Sequence, residues 1–403
     1  MFEERIIKEL TTLKNVVIFN HYNKDIPAHF ELDSRSLDFL IDTIIEGRPK
    51  TVAVVVTDRS RPTPTKELLL KVVPKLRGRG LNTYVVVATG LHKIKAEDIP
   101  EIVADLNVDV FLNEPEVDDR YVYLGTTPGG IPIKLLDKVV NTDALLLICS
   151  VIPHVWAGFT GGSKLLLPGT SARDVVIEHH LRFFNHPNAS PGIVKDNPFR
   201  REIDYVGNLI SGIVKVYAVN VVDCNASIYG TFGELMESYT RAVELSRNMY
   251  VREVGGKCDV LVVDGRPLNM NLYQSVKAVF NNLGILSDGG LAILVSSSLG
   301  ECPQEFVDAL RSEDLPLDEV VRKGVGDVVP YLVAYTLKEK LRGRRLVMLT
   351  NNSRISFSSE SLVITNRYDS VLEELRSLCV SGLRVCVVVE GAKYVHTSRS
   401  ISY

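Results

Sequence analysis

Residues 52–56 read V-A-V-V-V, an apolar run with no alternating polar position. A strand with one wet face alternates apolar and polar side chains, so this run must be covered on both sides. A parallel sheet with helices on each face provides that cover. Short apolar runs of the same kind recur at 83–88, 144–149, 214–220, 260–263, 291–295, 346–349 and 385–389, with longer amphipathic segments between them. That alternation predicts an α/β chain with mainly parallel sheets. A length of 403 residues suggests two domains. The pair Gly255-Gly256 is the best break, giving units 1–254 and 255–403 with a cleft between them.

Composition removes several function classes. Net charge is −3 and there is no basic run, which argues against nucleic acid or an anionic membrane as partner. No apolar stretch approaches the length of a membrane span, and the first residues, Met1-Phe-Glu-Glu-Arg, do not resemble a secretory signal. Six cysteines are scattered without a C-x-x-C pair, against both a disulfide scaffold and a zinc ribbon. A cytoplasmic protein is expected.

Three predicted strands end in polar loops: D-R-S-R at 58–61, L-H-K at 91–93, and a long piece starting at residue 150. Ligands of open α/β sheets bind beyond the carboxyl ends of strands, so these loops can converge on one site. The third loop holds the only tryptophan, Trp156, with His154, Gly158, Gly161, Gly162, Lys164 and Gly169. Glycines this dense exclude a single regular element and suit a turn whose amides approach an anion. An ATP loop is excluded, because a Walker motif requires G-K-[ST] and here Ser163-Lys164-Leu165 stands instead.

A helix is predicted after Pro168, capped by Thr170 or Ser171. On it, His180 has Val176, Ile177, Phe183 and Phe184 three and four positions away, so it should point inward. His179, beside Arg182, is expected on the outside. His179, His180 and His186 offer a zinc-hydrolase alternative, though H-H-x5-H matches no standard zinc spacing. Gln274 and Lys277 share a helix face and, with Arg61, could grip a carboxylate or phosphate. The loop at 351–354 is a further candidate wall.

Taken in order, D-R-S-R-P-T-P (58–64), A-T-G-L-H-K (88–93), P-H-V-W-A-G-F-T-G-G-S-K-L-L-L-P-G (153–169), His180 and N-L-Y-Q-S-V-K (271–277) resemble the nickel-pincer lactate racemase family. The resemblance implies a 2-hydroxy acid racemase or epimerase, with lactate as the default substrate. It implies a nickel pincer nucleotide, a pyridinium-3-thioamide-5-thiocarboxylate mononucleotide, covalently attached at Lys164, with Asp58, Gly161 and Gly162 nearby and His180 as the protein's nickel ligand. His92 and His154 would be paired acid/base residues. Arg61, Gln274, Lys277 and Trp156 would contact substrate. The first unit would then bind cofactor and nickel, while the second would contribute substrate contacts. The implied partners are the substrate and the cofactor-synthesis enzymes, and a homo-oligomer is compatible. Lys93, where the family often has arginine, motivates the alternative of a non-catalytic protein that binds nucleotide or 2-hydroxy acid.

Overall fold

The computed structural model of the chain describes residues 2–12, 15–20, 26–92, 94, 98–103, 106–224, 227–312, 328–352 and 354–398. Lys93 lies outside them. Two sheets carry the architecture. Their strands in chain order are β1 (Val16–Phe19), β2 (Thr51–Thr57), β3 (Asn82–Ala88), β4 (Val110–Leu112), β5 (Ala144–Ser150), β6 (Lys215–Cys224) and β7 (Ile228–Glu234), followed by β8 (Cys258–Asp264), β9 (Leu286–Ser296), β10 (Arg345–Thr350), β11 (Phe357–Ser358), β12 (Leu362–Thr365) and β13 (Val385–Val388).

The first sheet has the order β7-β6-β5-β2-β3-β4, parallel except for the β6–β7 pair. Strand order reverses between β5 and β2, which opens a crevice beyond their carboxyl ends. Val52–Val56 are fully buried, as a run without polar positions requires. The second sheet has the order β1-β13-β8-β9-β10-β12-β11, with only β11 antiparallel. One apolar cluster runs from Ala53 and Val55 of the first sheet to Leu261 and Val263 of the second, so the two layers share a core.

Several expectations change here. The start of the chain joins the second layer: Val16–Phe19 pairs with Val385–Val388, and helix α1 (Phe2–Leu10) buries Ile6 and Leu10 among Val260, Ile293 and Leu375. A division at 1–254 and 255–403 therefore misplaces the start of the chain. Its end crosses back, with Val395–Thr397 pairing with Val251–Glu253 and Lys393 meeting Asp223. Cys258 and Cys386 form a disulfide between neighbouring strands, a pairing 128 residues apart that no local cysteine spacing reveals. The other cysteines at 149, 224, 302 and 379 are free.

Five helices bear on the site: α2 (Arg173–Phe183), α3 (Pro198–Ser211), α4 (Leu235–Tyr250), α5 (Leu272–Asn282) and α6 (Val328–Lys340). The position before α2 is Ala172, with no side-chain cap; the Ser171 hydroxyl instead donates to the Leu166 carbonyl and closes the turn behind it. Among the described residues, no helix is long and apolar enough to cross a membrane.

Candidate active site

The three polar loops meet beyond the ends of β2, β3 and β5, and α5 and α6 close the opposite side from the second sheet. One pocket is lined by Asp58, Arg61, His92, His154, Trp156, Gly161, Lys164 and His180 of the first layer and by Gln274 and Lys277 of the second. Tyr273, Val329 and Val333 add an apolar wall that sequence reading missed. Val329 and Val333 lie on α6, far along the chain from any polar motif, so no local pattern could mark them.

Asp58 follows β2 and His92 follows β3. Their side chains meet at 2.6 Å between Asp58 Oδ2 and His92 Nδ1. Asp58 Oδ1 accepts from the Ser60 amide at 2.9 Å and from its hydroxyl at 2.5 Å. Asp58 was expected among the cofactor residues, but both its oxygens are engaged within the protein, and the geometry ties it to His92. Burial acts to raise the Asp58 carboxyl, but the hydrogen bond and charge of His92, then Arg61 and Ser60, outweigh it and hold the group well below the usual carboxylate range. An ionised carboxylate must receive the proton of His92 Nδ1, so Nε2 is left as an acceptor.

His154 sits on a two-stranded ribbon, Pro153–His154 against Gly158–Phe159. The ribbon's tight connection turns two backbone amides onto the imidazole: Trp156 N and Ala157 N donate to His154 Nδ1 at 3.2 and 3.1 Å. Desolvation, then the charges of Lys164, Arg61 and Lys277, push His154 well below the ordinary histidine range. The Trp156 side chain is buried, stands edge-on to His180 at 5.6 Å, and reaches α6 through Nε1 to Thr336 Oγ1 at 3.4 Å.

His180 is 5% exposed, and its Nδ1–H donates to the Val176 carbonyl one turn back at 2.8 Å. A carbonyl only accepts, so the Nε2 lone pair is the one available to the pocket, the arrangement usual for a metal-ligating imidazole. Burial, then Lys164, lowers His180 to about 3. It is neutral across the physiological range. His179 corrects the sequence reading: it is fully buried, with Nε2–H on the Phe199 carbonyl at 3.0 Å and its ring 4.3 Å from Phe199. Both faces of α2 are covered, so one apolar stripe could not tell the two histidines apart. His186 lies on an exposed turn, and no group of three metal-ligating side chains occurs among the described residues. The zinc-hydrolase alternative has no geometry to support it.

Three histidines of this region, His154, His179 and His180, are held below their ordinary range. Depressed histidines add stability above the unfolded pKa, and that contribution is lost as pH falls toward the folded one, because the unfolded chain takes up protons first. Thermal melts should therefore drop steeply below about pH 6.5, and His180→Gln should flatten the drop. Equal slopes in the two proteins would contradict this.

Lys164 stands on a short 3-10 turn, Gly162–Leu165, and is 8% exposed. Burial, then Arg61, Arg200 and Lys277, push its amine well below the usual lysine range. No carboxylate lies within ion-pair distance of Lys164 among the described residues. Behind the turn, Arg200 is buried against Asp204 at 2.5 Å, lies 4.0 Å from the centre of the Tyr239 ring, and donates to the Gly161 carbonyl at 3.4 Å.

Gly161 lines the pocket, but Gly162 faces away from it: its amide donates to Cys149 Sγ at 3.2 Å rather than toward a ligand. Its φ is +57°, and an added Cβ would lie 2.5 Å from the Tyr239 ring. Gly162→Ala should cost about 2–3 kcal/mol from overpacking and backbone strain. Chemical denaturation measures this, and a cost below about 0.5 kcal/mol would contradict it.

Gln274 and Lys277 share the first turns of α5, as their spacing predicts, and the Lys277 ammonium donates to Gln274 Oε1. Burial, then Arg61, lowers Lys277, with Asp58 opposing. The loop at 351–354 does not join them: Asn352 turns to the Gly300 carbonyl and Arg354 to Glu301, while Ser353 lies outside the described residues.

The family description "Lactate racemase N-terminal domain" matches residues 33–192, the span that carries His92, His154, Lys164 and His180. The lactate racemase of Thermoanaerobacterium thermosaccharolyticum is 23% identical over 375 residues, covering 88% of this chain and 86% of that protein. Residues 33–192 thus match a lactate racemase N-terminal domain, and most of the chain is similar to lactate racemases. A second relative, the lactate racemase of Lactiplantibacillus plantarum, is 26% identical over 290 residues, covering 67% of this chain and 66% of that protein. The solved lactate racemase apoprotein of T. thermosaccharolyticum superposes with a TM-score of 0.79 at 18% identity, over 94% of this chain and 99% of that one. A solved protein from Thermotoga maritima gives 0.68 at 19% identity, over 93% and 99%. What these two solved structures share with the chain is the fold, α/β with mainly parallel sheets, described above.

Proposed function

We propose that this protein is an isomerase that interconverts the enantiomers of a 2-hydroxy acid, with lactate as first candidate, in the cytoplasm. The observation that carries the reading is the convergence, in one pocket between the two layers, of two histidines, a buried lysine, an inward histidine with a free Nε2, and the Arg61, Gln274 and Lys277 group. The names of the matched relatives support it.

The C2–H of a 2-hydroxy acid is a weak acid, so inversion by direct proton removal is slow. Removing the hydroxyl proton and a C2 hydride instead gives a flat 2-keto acid that can be rebuilt from either face. The residues fit the nickel pincer nucleotide that such a reaction needs. Lys164 is an amine without an acid partner, suited to a covalent tether, and His180 offers one neutral nitrogen to complete a metal's coordination. When bound, the group supplies the hydride acceptor.

The protein's own part is proton handling and positioning. His92, oriented by Asp58, takes the hydroxyl proton, and His154 faces the oxygen from its own side of the pocket. Arg61 and Lys277, with Gln274, hold the carboxylate so that it stays fixed while the rest of the molecule turns. Trp156, Tyr273, Val329 and Val333 exclude water around the keto acid.

The test is to produce the protein together with cofactor-synthesis enzymes, confirm nickel and a mass adduct on the Lys164 peptide, and follow enantiopure lactate and a panel of other 2-hydroxy acids by chiral chromatography. Interconversion of at least one acid is expected. Loaded protein that inverts none of them would refute the reading.

A further inference from the structure

His92 and His154 face the same pocket but are held from behind in opposite ways. An acidic acceptor lies behind His92: Asp58 Oδ2 is 2.6 Å from Nδ1, with the Ser60 hydroxyl a further 3.4 Å neighbour. Two backbone donors lie behind His154: the amides of Trp156 and Ala157, both on Nδ1. A backbone N–H cannot reverse its direction, so His154 Nδ1 must present a lone pair, and the single ring proton of the neutral form sits on Nε2. Asp58 requires the reverse of His92.

We infer that the two histidines are locked in opposite tautomers, so that His92 offers the pocket an acceptor at Nε2 and His154 offers it a donor at Nε2–H. The roles this gives them rest on the racemase reading; the tautomers themselves are properties of the protein alone. His92 is then the group that takes the hydroxyl proton, becoming an imidazolium paired with Asp58. His154 is the group that meets the oxygen when the flat acid has turned to its side.

The surroundings of His154 agree. The charges that act on it most are those of Lys164, Arg61, Lys277 and His180, all of which disfavour a further positive charge. A second proton on Nδ1 would point at two N–H groups, so an imidazolium is disfavoured twice over. The proton count still closes. An alkoxide forming beside His154 can take the Nε2 proton, leaving an anionic ring that the two amides and Arg61 stabilise. Once the product has left and water re-enters the pocket, the proton held on His92 returns to His154 through solvent. The reverse reaction runs through the same two forms of the protein in the opposite order. Symmetric placement around the substrate thus coexists with asymmetric proton chemistry, comparable to a neutral imidazole acting as an electrophile beside a separate base.

Full-length protein without cofactor, labelled with ¹⁵N-histidine, reports this directly through two-bond ¹H–¹⁵N correlations at pH 7. His154→Gln assigns one set of peaks. Trp156→Phe, which perturbs the same ring, assigns it again should the first variant not fold. His154 is expected neutral with the proton on Nε2, and the neutral form of His92 is expected to carry its proton on Nδ1. Asp58→Asn is expected to move the His92 proton to Nε2 and leave His154 unchanged. A proton on His154 Nδ1, an imidazolium at that position at pH 7, or the same tautomer for both residues would overturn the inference. If the loaded protein inverts no 2-hydroxy acid, the racemase reading falls, and the spectra still decide the tautomers.

Discussion

Asp58→Asn lowers racemisation by roughly 10³–10⁴-fold while leaving the fold and cofactor loading intact. The argument begins at the oxygen that does not touch histidine. Oδ1 accepts from the backbone amide of Ser60, a donor with no alternative role, so an asparagine must keep its carbonyl oxygen there. Its NH₂ is then turned toward His92 Nδ1, where an N–H now sits in place of a lone pair. The imidazole answers by moving its proton to Nε2, and the acceptor facing the pocket is gone. The side chain's volume is unchanged, so packing around this buried position is kept. His92→Gln removes the base itself and should fall at least as far, and His154→Ala should lose activity in both directions. Chiral chromatography gives the rate, and peptide mass gives the loading. An Asp58→Asn protein within tenfold of the parent would break the assignment of His92 as the base.

What could be read in advance follows from what is local. V-A-V-V-V and A-L-L-L-I-C state their burial in their own composition, and the sheets sit where such runs stand. Strand β7, I-Y-G-T-F-G-E, carries two glycines that blur its alternation, and its antiparallel partner supplies the order that its sequence lacks. Val16–Phe19 is a short run whose place depends on Val385–Val388, and nothing near residue 16 encodes that pairing. The disulfide of Cys258 with Cys386 belongs to the same class, because two strands must first be neighbours.

The site divides along the same line. Gln274 and Lys277 share one helix face by spacing and were legible as a pair, whereas the apolar neighbours of His180 marked it as inward without separating it from His179. The hydrogen bond from His92 to Asp58 was not legible: each residue follows a different strand, and only the register of β2 on β3 brings the two strand ends level. His154 shows a finer limit. Its presence at a strand end was visible, but its chemistry depends on two amides that converge because the 153–159 ribbon closes in a tight turn. Residue identity named the histidine, whereas backbone geometry decides which nitrogen carries its proton.

Lys164→Met abolishes activity and yet raises the melting temperature of the cofactor-free protein. The loss, to background or by at least about 10⁴-fold, follows from chemistry: a thioether offers no amine for a covalent tether. Lys164→Arg should fail equally, because a guanidinium stays protonated and is a poor nucleophile. The gain in stability follows from linkage. In the unfolded chain the amine holds its proton through neutral pH, whereas in the fold burial and the charges of Arg61, Arg200 and Lys277 depress it, so folding must give the proton up or bury the charge. That cost is present below the ordinary lysine pKa and fades as pH rises toward it, so the advantage of Lys164→Met should shrink at alkaline pH. Scanning calorimetry of the two apoproteins at pH 7 and above pH 9 tests the sign. A methionine variant that melts lower than the parent at pH 7 would mean the buried amine is paired rather than strained. If it melts higher, residue 164 is a place where the chain gives up stability for a reactive group.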